Sequence, residues 1–404
     1  MNPAFQLYFQ LFQIALYILL ILPTLYIFVF AVAGLFYKQP GYNFKIPFRK
    51  IAVLIPGYKE DDVIIEVARD ALGQDYPHDR YDVVIIADSF QPETLARLRE
   101  LAIKVIEVKF DKSTKSKALN KAMEQLPDDY DLAVVLDADN LMAPDFLVKI
   151  NAAFEQELMA VQGHRTAKNM DTPLAILDAV SEEINNHIFR KGHRVLGLSS
   201  AIIGSGMAFR YLFFKEIMAT VTAIGGFDKE IELNMLRNHH TIGYLNDALV
   251  YDEKVQKDDV FSNQRRRWLS AQLHYFRLDF MRSLKALITR GNIDYFDKAI
   301  QFIQPPRILL LGAVMLTGTV CFLLNVVFSL PILYNGLWIT VVAICILAFL
   351  FSIPLSFFNI STLRAMASLP RGMFLMMGSL LKIRGANKQF IHTKHGAVKP
   401  PPKH

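Results

Sequence analysis

From Met1 to Tyr37 the chain carries no Asp, Glu, Lys or Arg, and the same holds from Ile308 to Leu363. Stretches this long without charge have to be covered, by lipid or by a protein core. Leu11 to Phe36 is almost wholly apolar and long enough to cross a hydrocarbon layer of about 30 Å. It has no basic n-region and no small-residue cleavage site, so it reads as a retained helix rather than a removable leader. The flank after it holds Lys38, Lys45, Arg49 and Lys50, whereas the flank before it holds no Lys or Arg. The positive-inside rule puts residue 38 onward in the cytoplasm. The second stretch divides into spans near 308–330 and 337–358 around a turn, Pro331-Ile332-Leu333-Tyr334-Asn335-Gly336. Two spans return the chain to the cytoplasmic side, in keeping with Arg364, Arg371, Lys382, Arg384 and Lys388. The expectation is a multi-pass protein of the inner (plasma) membrane with three transmembrane helices. A buried helical hairpin in a soluble core is the rival.

Composition agrees with a mixed protein. Hydrophobic residues make up 52% and mean hydropathy is +0.26, high for a soluble enzyme and low for a multi-span transporter. The expected spans carry no ionisable residue, which leaves a transporter no polar pathway. A net charge of +6 without a long basic run fits an anionic leaflet better than nucleic acid. The two cysteines, Cys321 and Cys345, lie in apolar stretches far from any CxxC, so neither a disulfide framework nor a zinc site is indicated. The chain therefore divides into a transmembrane helix (1–37), a cytoplasmic domain (38–270), amphipathic interface helices (271–306), two transmembrane helices (307–360) and a cytoplasmic basic tail (361–404).

Between the anchors, short β-branched runs alternate with amphipathic patterns. The sequence predicts strands at 51–55, 82–87, 103–108, 132–137 and 159–162, with helices near 61–73, 92–101, 115–126 and 144–155. That alternation predicts an α/β domain with a largely parallel sheet. Such sheets bind ligands at the carboxyl ends of their strands.

Polar residues gather at those ends. Pro56 stops the first strand, Tyr58 can stack on a base and Glu60 can reach a hydroxyl, although a plain strand-to-helix turn explains the same residues. Asp88 closes the second strand, where helix capping is the plain alternative. Lys115-Ser116-Lys117-Ala118-Leu119-Asn120 opens a helix, and a cation beside helix-start amides suits a diphosphate; a solvated basic turn is the alternative. Ala133 to Leu136 run into Asp137-Ala138-Asp139, two carboxylates able to converge on one hard cation such as Mg²⁺ or Mn²⁺ together with phosphate oxygens. Gly204-Ser205-Gly206 allows close approach of a substrate. Gly225-Gly226-Phe227-Asp228 enters another helix, with Asp228 a cap or a general base. Gln264-Arg265-Arg266-Arg267-Trp268 offers guanidinium groups for phosphate and a flat face for a sugar, or else an anchor at the membrane surface. The histidines do not cluster, and His239-His240 fits a helix end.

Taken in order, these motifs resemble the inverting glycosyltransferase family 2, in particular its membrane-bound branch with the cellulose, hyaluronan and chitooligosaccharide synthases. The resemblance covers roughly residues 48 to 270. It implies a GT-A fold, an α/β domain with a mixed, mainly parallel sheet, beside the three transmembrane helices. It implies donor contacts from Pro56, Tyr58, Glu60, Asp88, Lys115, Asp137, Gln264, Arg267 and Trp268. Asp139, with Asp137, would hold Mg²⁺ or Mn²⁺. Gly204, Ser205, Gly206 and Trp268 would face the acceptor. Two positions depart from the family pattern. The usual paired aspartates are Ala87-Asp88 here, and the Thr-Glu-Asp triplet is absent. Counting back from Tyr244-Leu245 puts the catalytic base on Asp228, with Glu230 or Glu232 as fallback. The implied reaction moves a sugar from a nucleotide-sugar, a UDP-sugar in most relatives, to a glycan or lipid-linked acceptor, in polysaccharide synthesis with an export partner. A polyprenyl-phosphate monosaccharide transferase and an inactive scaffold of a secretion complex are the rivals.

Overall fold

The computed structural model describes residues 3–328 and 335–383. Most of the expected turn at Pro331–Gly336 lies outside the described residues, as do Arg384 and Lys388. The chain opens with α1 (Pro3–Gly34), then β1 (Ile51–Tyr58), α2 (Ile64–Ala71), β2 (Tyr81–Asp88), α3 (Pro92–Arg99), β3 (Lys104–Val108) and α4 (Lys115–Gln125). Next come β4 (Leu132–Val135), β5 (Leu141–Met142), α5 (Phe146–Ala153), β6 (Ala160–Ala167) and α6 (Pro173–Asn186). A π-helical turn (His187–Gly192) leads into the short α7 (His193–Val195). β7 (Met207–Arg210), α8 (Tyr211–Thr220), α9 (Phe227–Arg237), β8 (Ile242–Asp252), α10 (Asp258–Arg290) and α11 (Ile293–Ile303) follow. The chain continues through α12 (Arg307–Phe328), α13 (Asn335–Ser352), α14 (Ile360–Met366) and α15 (Leu369–Leu381).

The eight strands form one sheet in the order β3-β2-β1-β4-β7-β6-β8-β5. Pairings β1–β2, β1–β4, β2–β3 and β6–β8 are parallel. β7 runs antiparallel between β4 and β6, and β5 runs antiparallel to β8. The sheet is mixed, because β7 enters its centre against the direction of both neighbours. Side chains alternate across β1. Ala52 and Leu54 join Leu119 of α4, Phe214 of α8 and Leu233 of α9. Ile51, Val53 and Ile55 join Ile64 of α2 and Phe146 and Ile150 of α5. Helices therefore cover both faces, and the carboxyl ends of β1, β2 and β4 are left open.

α1, α12 and α13 pack together in a separate apolar cluster through Ile27, Val314, Trp338, Val341 and Cys345, joined by Ile184 and Ile188. Both cysteines are free and buried. Two helices among the described residues are long and apolar enough to cross a membrane, Gln6–Gly34 and Arg307–Val327. α13 has 18 residues and stops at Ser352, short of the expected Phe358, because Pro354 starts a 3₁₀ turn. The expected boundary at residue 270 falls inside α10, which runs unbroken from the cleft domain into the interface region. The start of the expected basic tail is helical, and α15 joins α10 and α12 through Met376, Phe261 and Ile308.

Candidate active site

The cleft forms where β1 and β2 end. Each strand is followed at once by a left-handed residue, Lys59 (φ 54°) and Ser89 (φ 60°). The Lys59 amide donates to the Asp88 carbonyl at 3.1 Å, which fixes the two turns side by side. Non-glycine residues in that region store strain, which concentrates at functional sites. Pro56, Tyr58, Glu60 and Asp88 all line the cleft, which encloses about 460 Å³. That volume lies in the range of small-ligand sites, roughly 300–1,000 Å³. Glu60 and Asp88 are buried, and the Ser89 hydroxyl donates to Asp88 Oδ1 at 2.9 Å.

Lys115 is the first residue of α4, whose cap Thr114 accepts from the Lys117 amide at 3.2 Å. Its ammonium donates to Asp137 Oδ1 at 2.5 Å and to the Gly204 carbonyl at 2.8 Å. β4 ends at Val135, so Asp137 and Asp139 sit on the turn beyond it, and both line the cleft. The Asp137 amide donates to Ser205 Oγ at 2.9 Å. The Asp139 carbonyl accepts from the Lys168 ammonium at 2.9 Å, and its Oδ1 accepts from Asn140 at 3.3 Å. Among the described residues no set of three or more His, Cys, Asp or Glu side chains is placed to hold a metal. A hard cation here would have two carboxylates from the protein and would take its other oxygens from ligand or water. That donor chemistry fits Mg²⁺ or Mn²⁺.

Of the three loop residues expected to meet an acceptor, only Gly204 lines the cleft. Ser205 is fully buried and donates to Asn140 Oδ1, so it braces the acidic turn from behind. A side chain at Gly206 (φ 63°) would press on Val250 at 3.1 Å, so this glycine serves packing.

α9 contributes two carboxylates to the cleft wall, Asp228 and Glu232, one helical turn apart; Glu230 is not among the lining residues. Glu230 instead accepts from the Tyr275 hydroxyl at 3.3 Å. Asp228 lies 3.4 Å from Lys229 Nζ. Glu232 is buried and lies 2.6 Å from Lys298 Nζ. Burial pushes the Glu232 carboxyl above its ordinary value, against the pull of Lys298 and Lys229. Gln264, Arg267 and Trp268 project from one face of α10, with Ala271 and Gln272 continuing the stripe at helical spacing. Arg265 does not line the cleft: it pairs with Asp178 and lies over Trp268 at 4.5 Å, steadying that ring.

Sequence reasoning missed the floor under Asp139. Arg165 donates to Glu182 at 2.9 Å and Lys254 donates to Asp252 at 2.8 Å. Asn140 links this group to Asp139, since it also donates to Asp252 at 3.0 Å. Arg190 lies 3.8 Å from Glu182. Burial would raise the Glu182 carboxyl, but Arg165, Lys254 and Arg190 together hold it down at about 2. The sequence held little signal for it, since Arg165 stands beside Gln162, His164 and Thr166 in a strand of mixed polarity.

A family model described as Glycosyltransferase like family 2 matches residues 47–271. The chain belongs to this family. Beta-monoglucosyldiacylglycerol synthase of Trichormus variabilis is 25% identical over 238 residues, 55% of this chain and 48% of that protein. The probable glycosyltransferase YdaM of Bacillus subtilis is 24% identical over 230 residues, 54% of each. The chain spans about half the length of the curated relatives it matches. Among solved structures, mannosyltransferase PcManGT from Pyrobaculum calidifontis, in complex with GDP-Man and Mn²⁺, superposes with a TM-score of 0.52 at 17% identity. The match covers 84% of this chain and 97% of that one, and it shows a GT-A-like fold.

Proposed function

We propose that this chain is an inverting glycosyltransferase that moves a sugar from a nucleotide-sugar, a UDP-sugar first, to a lipid acceptor at the cytoplasmic face of a membrane. One observation carries the reading: Asp137, Asp139, Lys115, Arg267 and the α9 carboxylates line a single cleft. Tyr58, Glu60 and Asp88 receive the nucleoside, and Lys115 and Arg267 receive the diphosphate. Asp139 with Asp137 would hold Mg²⁺ or Mn²⁺, which would supply Lewis-acid stabilisation of the departing diphosphate. An acceptor hydroxyl attacks the anomeric carbon, its proton passes to an α9 carboxylate, and the bond to the diphosphate oxygen breaks in the same in-line step. We assign the proton to Glu232, because its carboxylate lines the cleft and is held in place by Lys298 Nζ at 2.6 Å, with burial raising its pKa toward the working range of a base. Asp228, the choice from sequence counting, is the second reading, favoured by its position on the same wall.

The membrane seat rests on α1, α12 and α13, which expose large apolar side chains such as Phe12, Leu19, Leu316 and Ile339. Three spans, with the lysine-rich flank of α1 inside, fit that belt. A lipid acceptor is supported by the diacylglycerol named in the Trichormus variabilis relative and by the exposed leucines and methionines of α14 and α15. The test is incubation of purified full-length protein with UDP-glucose, UDP-galactose, UDP-N-acetylglucosamine or GDP-mannose, Mn²⁺ and diacylglycerol vesicles, with products read by mass spectrometry. A glycosyl lipid is expected. A polymer would move the chain to the cellulose- and hyaluronan-synthase branch. No turnover or binding with any donor would leave the inactive scaffold.

A further inference from the structure

A line of hydrogen bonds runs from α1 into the cleft. The Tyr26 hydroxyl donates to Asp297 Oδ1 at 2.7 Å. Gln301 Nε2 donates to Asp297 Oδ2 at 2.8 Å, and Lys298 Nζ donates to Gln301 Oε1 at 3.0 Å. Lys298 then meets Glu232 Oε1 at 2.6 Å. Asp297 thus touches the apolar helix through Oδ1 and the cleft wall through Oδ2, which it shares with His193. The Gln301 amide is oriented at both ends, by an acceptor on its nitrogen and a donor on its oxygen. Glu232, Lys298 and Gln301 line the cleft, whereas Tyr26 and Asp297 do not.

The anchorage of α1 at this point is close. His193 Nε2 sits 3.1 Å from Asp297 Oδ2, its Nδ1 faces the Ile188 carbonyl at 2.7 Å, and Phe30 stacks on the ring at 3.7 Å. A side chain at Gly192 would come within 2.2 Å of the Phe30 carbonyl oxygen, so only glycine lets the two backbones meet. His187 Nε2 lies 2.8 Å from the Ala31 carbonyl. The last two turns of α1 are therefore fixed to the π-helical turn and to α11 by packing as well as by the polar line.

We propose that Tyr26, Asp297, Gln301 and Lys298 are positioning residues for Glu232, so that the seating of α1 sets the geometry of the acceptor end of the cleft. The inference rests on the reading of Glu232 as the base. Gln301, itself held by Asp297, accepts from the Lys298 ammonium that meets Glu232, so the line orients that cation. Tyr26 holds Asp297 from the apolar helix, together with His193. Donor residues on β1, β2 and α4 lie outside the line, so its loss should leave nucleotide binding intact.

The test uses the full chain in nanodiscs, with UDP-glucose, Mn²⁺ and diacylglycerol or the donor and acceptor pair that the preceding screen identifies. Tyr26→Phe and Gln301→Leu are expected to lower kcat on the order of tenfold, since misplacement of a reacting group by about 1 Å can cost up to roughly a hundredfold. The donor KM should stay within about twofold of wild type. Lys298→Met should cost more and Lys298→Arg should recover part of the loss. The Tyr26→Phe, Lys298→Met double variant should match Lys298→Met alone, as members of one line do, rather than the product of the two losses. Wild-type kcat in both Tyr26→Phe and Gln301→Leu, or independent losses in the double variant, would overturn the relay while the enzyme reading stands. Wild-type kcat in Glu232→Gln would instead remove the base assignment, and the relay with it.

Discussion

Lys115 Nζ bridges Asp137 Oδ1, at 2.5 Å, and the Gly204 carbonyl, at 2.8 Å. One ammonium thus joins the acidic turn after β4 to the loop before β7, at the place proposed for the diphosphate. Lys115→Met should lower kcat/KM for the donor by about a hundredfold, the scale of losing one preorganised charge contact. Steady-state kinetics with varied nucleotide-sugar measures it. An unchanged kcat/KM would mean that the ammonium serves the turn alone.

Asp139 carries the metal assignment. Melting curves with UDP and Mn²⁺ should shift upward for the wild type, because a ligand bound only by the native state stabilises it. The shift should vanish with EDTA and return on adding Mn²⁺. Asp139→Asn should abolish the Mn²⁺-dependent part without lowering the melting point of the free protein by more than a few degrees. A full shift in Asp139→Asn would remove that residue from the metal site.

The base assignment makes a pH prediction. Glu232 faces Lys298 from α11, Lys229 and Asp228 from α9, and Arg190 from the π-helical turn. Burial outweighs the cations, so the folded pKa lies above the ordinary glutamate value of about 4.3. A base works only when ionised, so kcat should rise with pH through that raised value and level off above it. Glu232→Gln should erase this limb and lower kcat on the order of a hundredfold or more. An intact limb in Glu232→Gln that disappears in Asp228→Asn would move the role to Asp228.

Much of the frame could be read from residue order. Apolar runs before Pro56, Asp88 and Asp137 marked β1, β2 and β4, because a strand buried on both faces has few polar positions until it ends. Pro56 was expected to stop β1, but the strand runs on through it to Tyr58 in register with β2, while β4 stops at Val135. The motif resemblance singled out Gln264, Arg267 and Trp268, and α10 puts all three on the cleft. Three features were not legible. β6 runs on to Ala167 because His164 and Arg165 are buried against Glu183 and Glu182, and a charged residue reads as a strand end unless its partner is known. Ser205 was expected to face a substrate, but sequence does not tell which side of a loop a hydroxyl takes, and here it braces Asn140. Glu232 and Lys298 lie far apart in the chain and meet only because α11 folds back onto α9.

Glu182 gives the last prediction. Its carboxylate is shared by Arg165, at 2.9 Å, with Arg190 and Lys254 at 3.8 and 3.9 Å, all of them buried. Glu182→Gln removes the one carboxylate that lies within 4 Å of all three cations, leaving Asp252 to Arg165 at 3.9 Å and to Lys254 at 2.8 Å. Breaking a buried ion pair on one side costs about 3–5 kcal/mol. The folded pKa is depressed to about 2, so this stability is present above the unfolded value of about 4.3 and is lost as pH falls toward 2. Chemical denaturation at pH 7 should therefore separate wild type from Glu182→Gln by several kcal/mol, and the gap should narrow as pH falls below about 4. A gap of constant size across that range would mean that the ionisation of Glu182 contributes nothing to it.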